Sequence, residues 1–261
     1  MKAIFTDMDG TLLGRDHLIS SRTAATLKSV NDLGHKIVLA SGRAYDGMKS
    51  NLERLDFHPL MATLNGAYII NDNREEIFSS PFRPEDLIRI SDVIKSLGLS
   101  YLFFYGEHWG AEENNAFYEH ELSIIGIPGI IKSLEDMAGM HDVHKIIAVG
   151  TSDRISESFS AVRNELSGFS VAKSSPYYIE INNPGINKGL ALEKVSSYFG
   201  IDKEDTIAFG DYDNDIEMLE RAGVGVAMAN SVASVLERIP LRTVSNEEDG
   251  VACFLESYFR L

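Results

Sequence analysis

Two aspartates two residues apart, Asp7 and Asp9, stand where an apolar run gives way to Gly10-Thr11. Two carboxylates spaced this way on an extended backbone point to one side. Like charges that close repel, and a cation, a shared proton or both relieve them. A second acidic cluster, Gly210-Asp211-Tyr212-Asp213-Asn214-Asp215, follows the apolar run 206–209. The run 37–40 ends in Ser41-Gly42-Arg43, and Asn187-Lys188-Gly189 opens a predicted helix. If Asp7, Asp9, Asp211 and Asp215 share one sheet edge, they call for a divalent cation. All-oxygen donors select Mg2+ or a similar hard ion over zinc. A hydroxyl, a lysine, a helix N-terminus and Mg2+ together suit a phosphoryl group, whose equatorial oxygens carry the charge in transfer. Taken singly, each piece has an ordinary reading. Asp-x-Asp-Gly is turn chemistry, Lys188 a solvated helix start, Ser41 a loop residue. Their joint occurrence at strand ends argues for chemistry.

The elements that would position these groups alternate. Strand 3–6 precedes Asp7. Ser20 caps a helix that Gly34 stops. After strand 37–40 comes an amphipathic stretch holding Tyr45, Met48, Leu52 and Leu55, then strand 61–64 ending in Asn65-Gly66, a turn signal. Residues 67–70 and 76–78 read as a hairpin. From Pro81 the pattern changes to mixed, partly antiparallel material. It has helices at 84–97, 116–125 and 155–166 and strands at 99–105, 109–112, 145–149, 170–172 and 177–181. The alternation resumes at Asn183-Pro184-Gly185. Helices at 187–199, 216–222, 232–239 and 251–259 then alternate with strands at 206–209, 224–228 and 241–244. Alternating strands and helices imply a parallel, doubly wound sheet whose ligands sit at the carboxyl ends of its strands. The expected domains are a discontinuous core, 1–81 and 184–261, and an inserted α+β domain, 82–183.

Composition narrows the partners. Of 261 residues, 44% are hydrophobic and 24% charged, an ordinary globular mix. A formal charge of −15 argues against nucleic acid and anionic membranes. The single Cys253 leaves no internal disulfide. No apolar run approaches a membrane span, no leader pattern precedes the first strand, and the expected compartment is the cytoplasm. The seven histidines show no ligand spacing, and Trp109, Tyr177 and Tyr178 read as packing residues. Oligomeric state is not legible.

The sequence resembles the haloacid dehalogenase-like hydrolases, specifically the Cof-type (class IIB) phosphatases with a large inserted cap. Asp7-Met8-Asp9-Gly10-Thr11 looks like the family's first motif, Ala40-Ser41-Gly42-Arg43 the second, Asn187-Lys188-Gly189 the third and 210–215 the fourth. The resemblance implies a Rossmann-like core with a C2-type cap and a Mg2+-dependent phosphatase of small phosphorylated metabolites, sugar phosphates first among them. It implies Asp7 as nucleophile forming an aspartyl-phosphate, and Asp9 as acid toward the leaving alkoxide and then base toward water. Ser41 would hold a phosphoryl oxygen and Lys188 would neutralise charge. Met8, Gly10, Gly42 and Asn214 would line the phosphate site. Mg2+ would take the Asp7 carboxylate, the Asp9 carbonyl and Asp211, with Asp215 and Thr11 orienting the ligands through hydrogen bonds. Arg43 and Asn65 stay open as substrate contacts. A dedicated sugar-phosphate phosphatase or a phosphohexomutase shares this chemistry. A phospho-accepting receiver-type domain and a binder of a phosphorylated effector are the readings from other classes.

Overall fold

The computed structural model describes residues 1–261. The elements begin with β1 (Ala3–Thr6), α1 (Ser21–Asp32), β2 (Lys36–Ala40), α2 (Lys49–Leu52), β3 (Leu60–Thr63), β4 (Tyr68–Ile70) and β5 (Glu76–Ser79). Next come α3 (Pro84–Ser96), β6 (Ser100–Tyr105), β7 (His108–Ala111), α4 (Ala116–Ile125), β8 (Ile130–Ile131) and α5 (Leu134–Met137). Then follow β9 (Val143–Val149), α6 (Ser152–Glu165), β10 (Ser170–Ser175) and β11 (Tyr178–Asn182). The last stretch holds α7 (Lys188–Phe199), β12 (Thr206–Gly210), α8 (Ile216–Arg221), β13 (Val224–Ala227), α9 (Ala233–Arg238) and α10 (Gly250–Phe259). No helix is long and apolar enough to cross a membrane.

Two compact units result. Met1–Gly42, Lys49–Phe78 and Asn187–Leu261 make the first; Arg43–Met48 and Ser79–Ile186 make the second. The first unit is built on a seven-stranded sheet in the order β13-β12-β1-β2-β3-β4-β5. From β13 to β3 the pairs are parallel, and β4 turns back antiparallel on β3. Parallel neighbours need crossover connections, which the helices supply. Both faces of such a sheet are covered, so its strands are unbroken apolar runs: Ile4, Phe5, Val38, Leu39, Ala208 and Phe209 are wholly buried. Leu192 and Val195 of α7, and Met218 and Leu219 of α8, pack on this sheet. Helix ends follow the sequence signals: the Ser20 hydroxyl accepts the Thr23 N–H, Asn187 caps α7 by accepting from Leu190 N at 2.8 Å, and left-handed Gly200 ends it.

Two expected elements take other forms. The amphipathic stretch at 45–55 is a tight turn over Tyr45–Met48 followed by the short α2. Gly47 weakens a helix there, and Asp46 is tied within the second unit, its N–H to Glu107 O at 3.1 Å and its carboxylate 3.0 Å from His108 Nδ1. The expected strand 241–244 shrinks to a single parallel bridge, Arg242 opposite Ala227. Pro240 precedes it and cannot donate to a ladder.

The second unit carries a six-stranded sheet, β10-β11-β9-β6-β7-β8, antiparallel except for the β7–β8 pair. One face packs Tyr101, Phe103, Ile146, Ala148, Ile179 and Ile181 against Leu87, Ile90 and Ile94 of α3 and Ile155 and Val162 of α6. By strand alternation, Lys145, Tyr178, Glu180 and Asn182 project from the other face. Trp109 stacks on Tyr118 of α4 with ring centroids 5.0 Å apart and donates to Ile127 O, as a packing residue would.

Candidate active site

The site grows from three neighbouring strand ends. β1 lies between β12 and β2, with Thr6 opposite Phe209 on one side and Leu39 on the other. Asp7, Ser41 and Asp211 follow these strands directly. The Asp7 N–H continues the ladder to Phe209 O at 3.0 Å, and then the chain leaves the extended state. Met8–Leu12 forms a wide turn in which Gly10 has φ +81°. Asp7 and Asp9 therefore do not share one side of an extended strand: Asp7 is buried and Asp9 exposed. The expectation failed because it carried the extended geometry past the strand's last residue. Met8 is wholly buried, which leaves its main chain as the part able to meet a phosphate. Gly10 is required twice over, by its positive φ and because a Cβ there would run into the Asp211 carboxylate.

Lys188, the first residue of α7, is 1% exposed and sits between two carboxylates. Its ammonium donates to Asp7 Oδ1 and to Asp215 Oδ1, the latter at 2.6 Å. Asp215 Oδ2 accepts the N–H groups of Asp211 and Tyr212 at 2.9 and 3.0 Å. Thr11 donates to Asp211 Oδ1 at 2.7 Å. Both oxygens of Asp215 are thus occupied, whereas Asp7 and Asp211 each keep one carboxylate oxygen without a protein hydrogen bond. Burial pulls the Lys188 ammonium down, but Asp215 and Asp7 together hold it above its usual range. Burial pushes the Asp7 carboxyl up to about 8 against the pull of Lys188. Burial also pushes Asp211 up to about 6, opposed by the Thr11 hydrogen bond and reinforced by the Asp215 charge.

Three carboxylates against one ammonium leave an excess of negative charge in a buried place. Oxygens of Asp7, Asp211 and Asp215 come within 4.8 Å of one another, a grouping able to hold a metal ion. The donor set is all oxygen, and the two carboxylates with an unbonded oxygen, Asp7 and Asp211, fit a hard cation.

Ser41, Gly42, Asn65 and Asn214 belong to the same unit. Ser41 is 1% exposed; its N–H donates to Ala62 O and its carbonyl accepts from Asn65 N. Asn214 donates to Asn65 Oδ1 at 3.4 Å, and a Cβ on Gly42 would stand 3.3 Å from that same oxygen. Asn65 itself is left-handed, with φ 59°. Arg43 belongs to the second unit and donates to Gly47 O at 3.1 Å. One residue that the sequence reading passed over is Asn230, beyond the end of β13, whose amide donates to Gly10 O at 2.7 Å and braces the first turn. Its signal was available: Asn230-Ser231 is one more polar pair following an apolar strand.

A buried aspartate held by a lysine at one strand end, with a second acidic loop beside it, is how the haloacid dehalogenase-like hydrolases are built. The model of that family matches residues 4–255, and the chain belongs to it, as a Cof-type phosphatase. A Haemophilus influenzae protein is 32% identical over 99% of this chain and 98% of its own length. The Bacillus subtilis 5-amino-6-(5-phospho-D-ribitylamino)uracil phosphatase YitU is 31% identical, covering 99% and 97%. Among solved structures, a haloacid dehalogenase-like hydrolase from Bacteroides thetaiotaomicron superposes with a TM-score of 0.90 at 30% identity, covering 98% of this chain and 99% of that one.

Proposed function

We propose that this phosphatase hydrolyses small phosphorylated metabolites, sugar and sugar-alcohol phosphates among them, through an aspartyl-phosphate on Asp7, with Mg2+ as its metal. The observation that carries the reading is Asp7 itself: buried, held through one oxygen by Lys188, its other oxygen unbonded. Asp7 attacks phosphorus with that oxygen, the ester P–O bond breaks, and the departing alkoxide takes a proton from Asp9. Water then attacks the phosphorus of the aspartyl-phosphate, Asp9 takes its proton, and phosphate leaves with Asp7 restored. Lys188 offsets charge on Asp7, and Ser41 and the main chain of Met8–Gly10 hold phosphoryl oxygens. Asn214 lies at the edge of this phosphate site, and Gly42 allows close approach beside Asn65. Asp7, the Asp9 carbonyl and Asp211 would hold Mg2+, with Asp215 and Thr11 fixing their orientation. When bound, Mg2+ supplies positive charge to the phosphoryl oxygens.

Residues 82–183 form the cap in this reading and select the alcohol portion. Phosphatase relatives named for a phosphoribitylamino-uracil and for HMP-PP support a small phosphorylated substrate. Membership of a phosphatase family favours turnover over the receiver-type and effector-binding readings. The cytoplasm is the proposed compartment. A phosphate-release screen over sugar phosphates, sugar-alcohol phosphates and HMP-PP tests the proposal; release from none of them, with Mg2+ present, overturns it.

A further inference from the structure

Between β3 and β4 the chain takes a course that joining two strands does not require. Leu64, Asn65 and Gly66 stand one after another in the left-handed region, with φ of 54°, 59° and 93°. Hairpin loops of this length are most often built around a type I turn, whose central residues have negative φ. A bulky residue such as Leu64 is an outlier at positive φ, and here it is wholly buried. Such conformations persist only where their surroundings over-determine them, and they cluster at functional sites.

The surroundings act on three sides, all within the first unit. The Asn65 N–H donates to Ser41 O at 2.8 Å. Asn65 Oδ1 accepts the Asn214 amide at 3.4 Å, and Gly42 packs against the same carboxamide, where a Cβ would stand 3.3 Å from that oxygen. Gly66 abuts the start of α7: a Cβ on it would lie 2.9 Å from Ala191 Cβ and 3.1 Å from Asn187 O. Asn187 caps that helix, and Lys188 is its first residue. One turn thus touches the loop after β2, the loop after β12 and the start of the helix that carries Lys188. The backbone alone does not account for Asn65. Glycine takes a left-handed position at no steric cost, and asparagine is tolerated there. What glycine would lack is the carboxamide that reaches from Gly42 to Asn214.

We propose that Asn65 is a positioning residue for phosphoryl transfer. Its carboxamide fixes where Asn214 stands relative to Ser41 and Gly42, and it acts through them rather than on the substrate. The inference rests on the reading under Proposed function, in which those residues meet the phosphoryl group. A group that stands slightly out of place still helps to bind the ester but no longer matches the charge of the transition state. The loss therefore belongs in kcat.

The test measures kcat and KM, with Mg2+ present, on the ester that the phosphate-release screen finds best. It compares wild type with Asn65→Gly, Asn65→Asp, Asn214→Ala and the double variant Asn65→Gly/Asn214→Ala. Asn65→Gly suits the left-handed backbone and should melt no lower than wild type. It should nonetheless lose about tenfold or more in kcat with KM little changed. Asn214→Ala should lose a similar factor, and the double variant no more than either single one, because the two residues act as a unit. Asn65→Asp keeps an acceptor oxygen for Asn214 and should recover most of the lost kcat, with the penalty of its charge falling on KM. Should the glycine variant not fold, Asn65→Ser, too short to reach Asn214, takes its place. An unchanged kcat, a loss confined to KM, losses that multiply in the double variant, or an aspartate variant no faster than the glycine one overturns the proposal. Wild-type protein that releases phosphate from no ester defeats the phosphatase reading and this inference with it, whereas an active wild type beside an unaffected Asn65 variant defeats this inference alone.

Discussion

In the first unit, Asp7, Ser41 and Asp211 each follow the last residue of a buried parallel strand. In the second, Lys145 and Glu180 interrupt antiparallel strands from within. Strand ends free the backbone from its ladder, so N–H groups and carbonyls become available to a ligand alongside the side chains. A sheet face offers side chains only, with spacing set by the pleat. The first arrangement leaves main-chain and side-chain groups together at one point; the second pairs side chains across neighbouring strands.

The strongest way to break this contrast is to remove Asp7, the proposed nucleophile. Asp7→Asn should fold and lose about 10³-fold or more in kcat on every ester alike. Rates within tenfold of wild type in a steady-state assay would remove Asp7 from the chemistry. Metal removal should act just as evenly. Protein stripped with EDTA should show background activity regained on adding Mg2+, and Mg2+ bound to the acids of the folded state should raise the melting temperature by mass action. A melting curve indifferent to Mg2+ would count against Asp7 and Asp211 as its ligands.

Charge balance in the first unit should matter to stability as well as to rate. Lys188→Met strands Asp7 and Asp215 without their cation, and urea unfolding of the metal-free variant should show a loss of about 3–5 kcal/mol. A loss below 1 kcal/mol would mean that the carboxylates take up protons freely and the lysine is not their structural partner.

The smallest expected effect belongs to the second unit. His144 Nδ1 lies 3.2 Å from the Gly106 N, whose N–H it accepts, and its Nε2 is hydrogen-bonded to Ser79 Oγ at 2.8 Å. Burial lowers its pKa from 6.5 to about 4. The unfolded chain therefore binds the extra proton first as pH falls. This contribution to stability is whole above pH 6.5 and is lost as pH drops from there toward 4, by at most about 3 kcal/mol. His144→Gln should flatten that part of the stability profile between pH 7 and 5. An unchanged slope would assign the acid sensitivity elsewhere.

The same contrast explains what the sequence disclosed. Asp7, Lys188 and the 210–215 loop were legible because a polar cluster after an apolar run stands out in one dimension. The polar face of β9 and β11 was not, since Lys145 and Glu180 lie 35 positions apart and meet only through the register of an antiparallel pair. The turn at Met8–Leu12 and the left-handed Leu64 and Asn65 were also hidden, because tertiary bonds select those backbone states. The stretch at 45–55 misled for a related reason: its apolar spacing suited a helix, but Asp46 is held by Glu107 and His108 far along the chain.

The place of β1 in its sheet has a bearing on how the protein is made. It needs β12, its partner through Ala3 and Thr206, which is synthesised roughly 200 residues later. At the usual pace of translation that is an interval of about 10–40 s. Throughout it, one edge of β1 has no neighbour, and Asp7 has no ammonium until Lys188 is added. The nascent chain therefore carries an open apolar edge with an acid at its end, and that charge discourages a second nascent chain from pairing there.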